Sequence, residues 1–214
     1  RQCAKILSLF VETPNEQIQA IISSGLLTDL RDGNVSLANR DDFRRMLDLP
    51  PLKSELLEPV GTATIPMTTE KFVARERFVK DTSPEARVKI FNVGGNFQGW
   101  FSTKVEEPFT GGTLRAHKLT QSSLDGQIIA ELGGEAKVET TLTEISYLME
   151  KQGNGEQGIL LTNGRSNIFY VRDVQGVLRA VFVCWFGGGW SVDASSVVSP
   201  HGWFGGYRVF SRNS

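Results

Sequence analysis

Cysteine is nearly absent: Cys3 and Cys184 are the only two in 214 residues. Two thiols cannot make a disulfide framework, and neither sits in a CxxC or a Cys/His cluster of the kind that holds zinc. Histidine is as scarce. His117 and His201 have no cysteine or acid at metal or triad spacing, so both read as ordinary core or surface residues. Net charge is small as well: 23 Lys+Arg against 24 Asp+Glu give −1. That balance disfavours non-specific attraction to nucleic acid or an anionic membrane. No apolar run reaches the roughly 18 residues that span a bilayer. The sequence has no GxGxxG after a strand, no Walker loop, no HExxH and no GxSxG. Gly187-Gly188-Gly189 follows a strand but leads into Trp190 rather than a helix, so it presents no helix amides to a phosphate. Glu106-Glu107 ahead of Pro108 reads as a solvated turn, with calcium ligation as the weaker alternative. The expectation is a protein with no enzyme activity, no cofactor and no metal.

What is present is an ordinary globular composition, with 40 % hydrophobic and 22 % charged residues. The length suits one large domain or one domain with an appendage. The chain opens on Arg1 and not on Met, which leaves a leader segment open. The two ends use different alphabets. Residues 1–60 hold 7 Lys/Arg and 9 Asp/Glu, whereas 155–214 hold 5 Arg, 3 acids and no lysine. Three of the four tryptophans, Trp185, Trp190 and Trp203, fall in the last 30 residues.

Residues 1–60 read as a small helical segment. Thr13-Pro14 with Glu16 opens one helix, and Gly25 closes it. Asn39 caps a second, Arg40–Leu47, which Pro50-Pro51 ends. Together, 16–50 could be a DNA-binding helix-turn-helix using Arg40, Arg44 and Arg45. Asp41, Asp42 and Asp48 on the same helix cancel those charges, so a plain helical appendage is the preferred reading. With Pro51, Pro59, Gly61 and Pro66 spaced through 51–68, residues 61–69 read as a linker or strap.

From about residue 70 the hydrophobic period shortens to two. Strands are expected at 87–93, 113–119, 159–162, 167–172, 177–186, 190–194 and 207–211. Gly94-Gly95-Asn96 reads as a turn and Gly99-Trp100-Phe101 as extended. Two helices are expected, at 122–132 and 141–152, stopped by Gly133 and Gly153. Helices and strands arranged in blocks argue an α+β domain over 70–214.

The stretch Val181–Ser214 contains no Lys, Glu, Gln or Met. Large apolar residues recur through it: Val183, Trp185, Trp190, Val192, Val197, Trp203 and Val209. Between them stand chemically unlike residues: Phe182, Cys184, Phe186, Ser191, Asp193, Ser195, His201, Phe204 and Tyr207. Alternate strand residues face opposite sides, so one side is a regular apolar set and the other a mixed one. A mixed face with aromatic members suits binding better than plain solvation. The competing reading places Phe182, Cys184 and Phe186 in the core of a buried strand.

Three stretches carry a more specific resemblance: Asn167-Ile-Phe-Tyr-Val-Arg-Asp, Gly176-Val-Leu-Arg-Ala-Val, and the series from Trp185 through Gly188-x-Trp190-x-Val and Pro200-x-x-Trp203-x-x-Gly206 to the C-terminus. Over 160–214, and more weakly over 70–159, the chain resembles the variable proteins of diversity-generating retroelements. In that family a reverse transcriptase copies an Asn-rich template and mutates its adenines. The resulting codons end in C and cannot encode Lys, Glu, Gln, Met or Trp. The resemblance therefore implies a C-type lectin-like fold with a variable region about 163–207. It implies diversified, ligand-binding positions at Arg165, Ser166, Phe182, Cys184, Phe186, Gly187, Gly189, Ser191, Asp193, Ser195, Ser199, His201, Gly202, Phe204, Gly205 and Tyr207. Gly187, Gly202 and Gly205 could equally be turn requirements. The implied ligand is a macromolecule, a protein, with no nucleic-acid partner. The calcium motifs of sugar-binding lectins are missing, and so are the paired cysteines of the related formylglycine-generating enzymes; an oxidase of that kind is the second alternative. Under the first reading Trp185, Trp190, Trp203 and Arg208 are scaffold, Ser191, Asp193, Ser195 and His201 are exposed, and Phe182, Cys184, Phe186, Phe204, Tyr207 and Arg165 converge on one patch.

Overall fold

A computed structural model describes residues 15–23, 28 and 56–212. The chain divides into two compact units, 1–52 and 53–214. In the first, helix α1 spans Asn15–Ser23, with Glu16 in its first turn where the helix dipole favours an acid. The expected second helix, with Arg40, Arg44 and Arg45, lies outside the described residues.

The second unit is a mixed α/β structure with five helices and a large mixed sheet. Its elements are β1 (Leu57–Ile65), β2 (Phe72–Val73), α2 (Ala74–Arg77), β3 (Ile90–Val93), α3 (Gly95–Phe101), β4 (Val105–Glu106), β5 (Gly112–Leu119), α4 (Asp125–Glu131), α5 (Glu135–Val138), α6 (Leu142–Lys151), β6 (Asn167–Arg172), β7 (Leu178–Trp185), β8 (Trp190–Ser196) and β9 (Arg208–Arg212). Seven strands form one sheet in the order β1-β5-β9-β6-β7-β8-β3, and β2 pairs with β4 separately. The β6–β9 and β3–β8 pairs are parallel; the others are antiparallel.

Both faces of the sheet are covered, which is why β6 reads Asn-Ile-Phe-Tyr-Val-Arg with no polar alternation. On one side Phe169, Val181, Val183, Trp190, Val192 and Phe210 pack with Leu142, Ile145 and Met149 of α6 and with Phe97 and Phe101 of α3. On the other Ile168, Tyr170, Leu178, Ala180 and Val209 pack with Ile128 of α4, Val138 of α5 and Trp203. Helix α6 starts with a reciprocal cap. Thr141 N donates to Glu144 Oε2 at 2.7 Å, and Glu144 N donates to Thr141 Oγ1 at 3.2 Å. Glu106, read as a solvated turn residue, is instead half-buried and caps the same helix, accepting from Leu142 N at 3.0 Å and Thr143 N at 2.8 Å.

Three further readings change. The expected linker over 61–69 begins inside β1, which continues to Ile65 as an edge strand on β5. Pro59 and Gly61 are tolerated there because an edge strand needs hydrogen bonds on one side only and the register slips between them. Residues 95–101 are helix, not turn and extended chain. Phe97 and Phe101, one turn apart, bury together at a centroid distance of 5.2 Å, and that burial outweighs the poor helix propensity of Gly95 and Gly99. Residues 159–162 form no strand; side chains take the place of a ladder, with Gln152 Oε1 accepting from Leu160 N at 2.8 Å and Asn167 Oδ1 from Leu161 N at 2.7 Å.

His117 on β5 is buried, with Nε2 3.1 Å from Ser211 Oγ. Burial, with Arg115 nearby, lowers its pKa from 6.5 to about 4. The native state then binds fewer protons than the unfolded chain between those values. The stabilisation is complete above 6.5 and is lost as the pH falls through about 4, a swing of about 3 kcal/mol. His117→Gln is expected to flatten that part of the stability–pH curve, as urea melts across this range will measure. An unchanged slope in the variant would assign the acid sensitivity to carboxylates.

Candidate ligand-binding face

Strand β7 sends Val181, Val183 and Trp185 into one core and turns Phe182 and Cys184 to the opposite side. The register sets Phe182 across from Asp193, Cys184 across from Ser191 and Ala180 across from Ser195. All three β8 residues therefore share the Phe182 face. Strand β3 extends it: Asn92 pairs with Ser191, and its Nδ2 donates to Ser191 Oγ at 3.0 Å. Asp193 packs its carboxylate over Gly94, filling the space a side chain there would need, and its Oδ1 accepts from Ala194 N at 2.8 Å.

The loop 199–207 borders this face and is pinned from below by Trp203. Its backbone bridges to Ser123 in both directions, at 3.0 and 2.8 Å, and its indole Nε1 donates to Asp125 Oδ1 at 2.7 Å. Tyr170 OH donates to the same oxygen at 2.8 Å, while Asp125 Oδ2 is buried without a partner. Burial raises the Asp125 carboxyl above its ordinary range. The Trp203 ring supports Phe182 edge-on at 5.2 Å and Tyr207 at 6.3 Å, and Tyr207 meets Phe204 at 6.0 Å. Arg165 lays its guanidinium over Gly206 beside Tyr207. Phe182, Phe204, Tyr207 and Arg165 are thus linked through Trp203 and Gly206. Phe186 lies just past the end of β7, exposed and against Phe91 at 6.0 Å.

The remaining expected positions divide. Cys184 and Ser166 are buried and bonded to each other, Oγ to Sγ at 3.1 Å, so they lie beneath the surface and not on it. Burial pushes the Cys184 thiol up. Two of the glycines, Gly187 and Gly202, are backbone requirements. Gly187 has φ of +76°, a conformation side chains resist. A Cβ on Gly202 would come 2.8 Å from Ser123 O; at Gly189 and Gly205 it would sit 3.1 Å from Lys89 O and 3.2 Å from Thr120 O, tight contacts that a small shift relieves. Ser199 Oγ closes a local turn by accepting from His201 N at 3.2 Å. His201 is exposed, but Ser191, Asp193 and Ser195 are half-buried where full exposure was expected, because β3 and α3 flank β8.

The three C-terminal tryptophans are scaffold. Trp190 donates from Nε1 to Gln152 O at 2.9 Å, and Trp185 stacks over Gly155 and meets Trp190 at 5.5 Å. Arg208 donates to Ile159 O while its Nε is buried unpaired, and burial lowers its pKa. Replacing Ser191, Asp193, Ser195 and His201 together by alanine is expected to leave a cooperative fold at a cost no greater than about 2–3 kcal/mol. A quadruple variant without a cooperative thermal transition would make these side chains part of the core.

Phe91, Asn92 and Asp125 are not singled out by the sequence, and Leu124, expected on the inner face of its helix, is exposed. Phe91 and Asn92 join the face only through the parallel β3–β8 pairing, which joins residues about a hundred positions apart. Asp125 carries one available signal: it stands one turn before Ile128, on the buried face of its helix. Among the described residues, no three metal-ligating side chains group together and no helix is long and apolar enough to cross a membrane. No family model matches this chain, and neither does any curated protein or solved structure.

Proposed function

We propose that this protein is a hypervariable binder diversified by a retroelement, displaying variable residues on a C-type lectin-like scaffold to hold a macromolecular ligand, a protein. One observation carries the reading. Phe182, Ser191, Asp193, Phe186, Phe204, Tyr207 and Arg165, from four separate stretches of chain, share one surface, while Trp185, Trp190 and Trp203 are packed beneath it. This is the separation a display protein needs: a rigid base and replaceable side chains above it. A mixed sheet with helices on both sides is compatible with the lectin-like architecture. The reading assigns no catalytic role. Cys184, the one thiol of the second unit, is buried and held by Ser166, which gives the oxidase alternative little support.

The test is genomic. An Asn-rich near-copy of the DNA encoding 160–214 is expected beside a reverse-transcriptase gene. Sibling copies of the gene should differ at the surface positions above and agree at Trp185, Trp190 and Trp203. Siblings that differ evenly across core and surface, with no template nearby, would overturn the proposal.

A further inference from the structure

A strip of aromatic rings interrupted by one cation runs along the end of the sheet where β7 finishes and β8 and β9 begin. Phe91 is 46 % exposed, Phe186 60 % and Phe204 66 %. Phe91 and Phe186 meet edge to face. The Phe186 ring lies 4.0 Å from where a Gly164 side chain would start, and Arg165 follows directly. The Arg165 guanidinium rests over Gly206, beside Tyr207, whose ring meets Phe204. The sequence of surface groups is therefore Phe91, Phe186, Arg165, Tyr207, Phe204. Arg165 has no acidic partner among the described residues; its backbone N–H alone is engaged, to Asn163 Oδ1 at 3.3 Å. Two ring pairs, Phe91 with Phe186 and Tyr207 with Phe204, flanking one arginine are more than scattered surface residues need.

We infer that this strip holds a protein segment presenting an Asp or Glu carboxylate between apolar side chains, with Phe91 as a fixed anchor. The inference rests on the reading of this face as a ligand-binding surface. The guanidinium suits a planar carboxylate, to which it gives two parallel hydrogen bonds. Aromatic walls on both sides exclude water from that pair and strengthen it. Large rings and arginine are the side chains on which binding energy concentrates. A single cation is too little to hold a membrane surface or a nucleic-acid backbone, which engage several basic groups at once. Phe91 lies outside 163–207, so under the proposed function it does not vary. It supplies an apolar contact common to every version of the surface, while Arg165, Phe186 and Phe204 set which segment fits.

The experiment screens the full chain against a phage-displayed library of random linear peptides. Enriched peptides are expected to carry Asp or Glu next to Phe, Leu, Ile or Trp. Phe91→Ala and Arg165→Gln should each weaken a synthetic copy of such a peptide by at least about tenfold. Removing the peptide's acid should weaken binding to the wild type and change nothing further in Arg165→Gln. Both side chains are exposed, and circular dichroism and the melting temperature verify that each variant folds; Phe91→Leu, which keeps apolar area, should recover part of the loss. Peptides that lose binding with Phe182→Ala or Tyr207→Phe but ignore Phe91→Ala and Arg165→Gln would overturn this inference and leave the display surface standing. Peptides indifferent to all four variants would overturn both. Enriched peptides without an acid, or no enrichment at all, would overturn the inference alone.

Discussion

Trp190→Ala is expected to lose about 3–5 kcal/mol of stability. Trp190 is fully buried where β8 begins, within the apolar cluster that also holds side chains of α3, α6 and the neighbouring strands. Truncation leaves a cavity that β8 cannot close, because its backbone is held by β7 on one side and β3 on the other. It also removes the donor to Gln152 O and the edge-on partner of Trp185. In a unit of this size the loss corresponds to a melting temperature lower by roughly 6–20 °C. A variant melting with the wild type would mean that the indole is not a structural element. Trp190→Phe, which keeps most of the volume but not the donor, should fall between the two.

Asp125→Ala is expected to cost about 2–6 kcal/mol, since it orphans two buried donors, Tyr170 OH and Trp203 Nε1, at about 1–3 kcal/mol each. Part of that loss is offset, because the carboxylate is itself poorly accommodated: one oxygen has no partner, and burial raises the group's pKa. A raised carboxyl keeps its proton in the native state at a pH where the unfolded chain has released it. Asp125 therefore destabilises the fold at neutral pH, and this destabilisation falls away as the pH drops toward the ordinary carboxyl value. Asp125→Asn keeps an acceptor and never ionises. Its deficit relative to the wild type should be smallest at neutral pH and widen on acidification, which denaturant melts at two pH values will measure. Both variants should loosen the 199–207 loop, because Trp203 is its anchor. An Asp125→Ala protein as stable as the wild type would show that Trp203 is held by packing alone.

The parts of this architecture that were legible in the sequence are those settled by neighbours along the chain. The alternation of Val181, Val183 and Trp185 with Phe182 and Cys184 marked β7 and its two faces. The 3.6-residue spacing of Leu142, Ile145 and Met149 marked α6. The parts that were not legible depend on residues far away. Pro59 and Gly61 argued against a strand, and only the edge position on β5 permits one. Gly95 and Gly99 argued against a helix, and the burial of Phe97 and Phe101 overrides them. Glu106 reads as solvated until α6, 36 residues later, places two amides over its carboxylate. At the candidate site, the type of residue was readable but its depth was not. Cys184 and Phe182 share one side of β7, yet the first is covered by Ser166 and the second reaches the surface; that difference is decided by loop 163–166, which carries no periodicity to read.

Strand β9 has a consequence for how the protein is made. It is the last of the described strands in sequence but lies third in the sheet, between β5 and β6. Until it emerges from the ribosome, the unit consists of one two-stranded piece, β1 with β5, and a separate four-stranded piece, β6 through β3, each with an open edge. Of the two pairings that close the sheet, β5 with β9 joins residues such as Leu114 and Arg212, far apart in the chain, which makes closure slow and late. A message that stops early, or shifts frame within the mixed stretch, yields a chain lacking its closing strand. Such a product keeps two unsatisfied edges, a mark of incompleteness that promotes aggregation and invites degradation. The order of the strands thus puts the joining of the two halves of the sheet, and with it the seating of the 199–207 loop that leads into β9, among the last steps of folding.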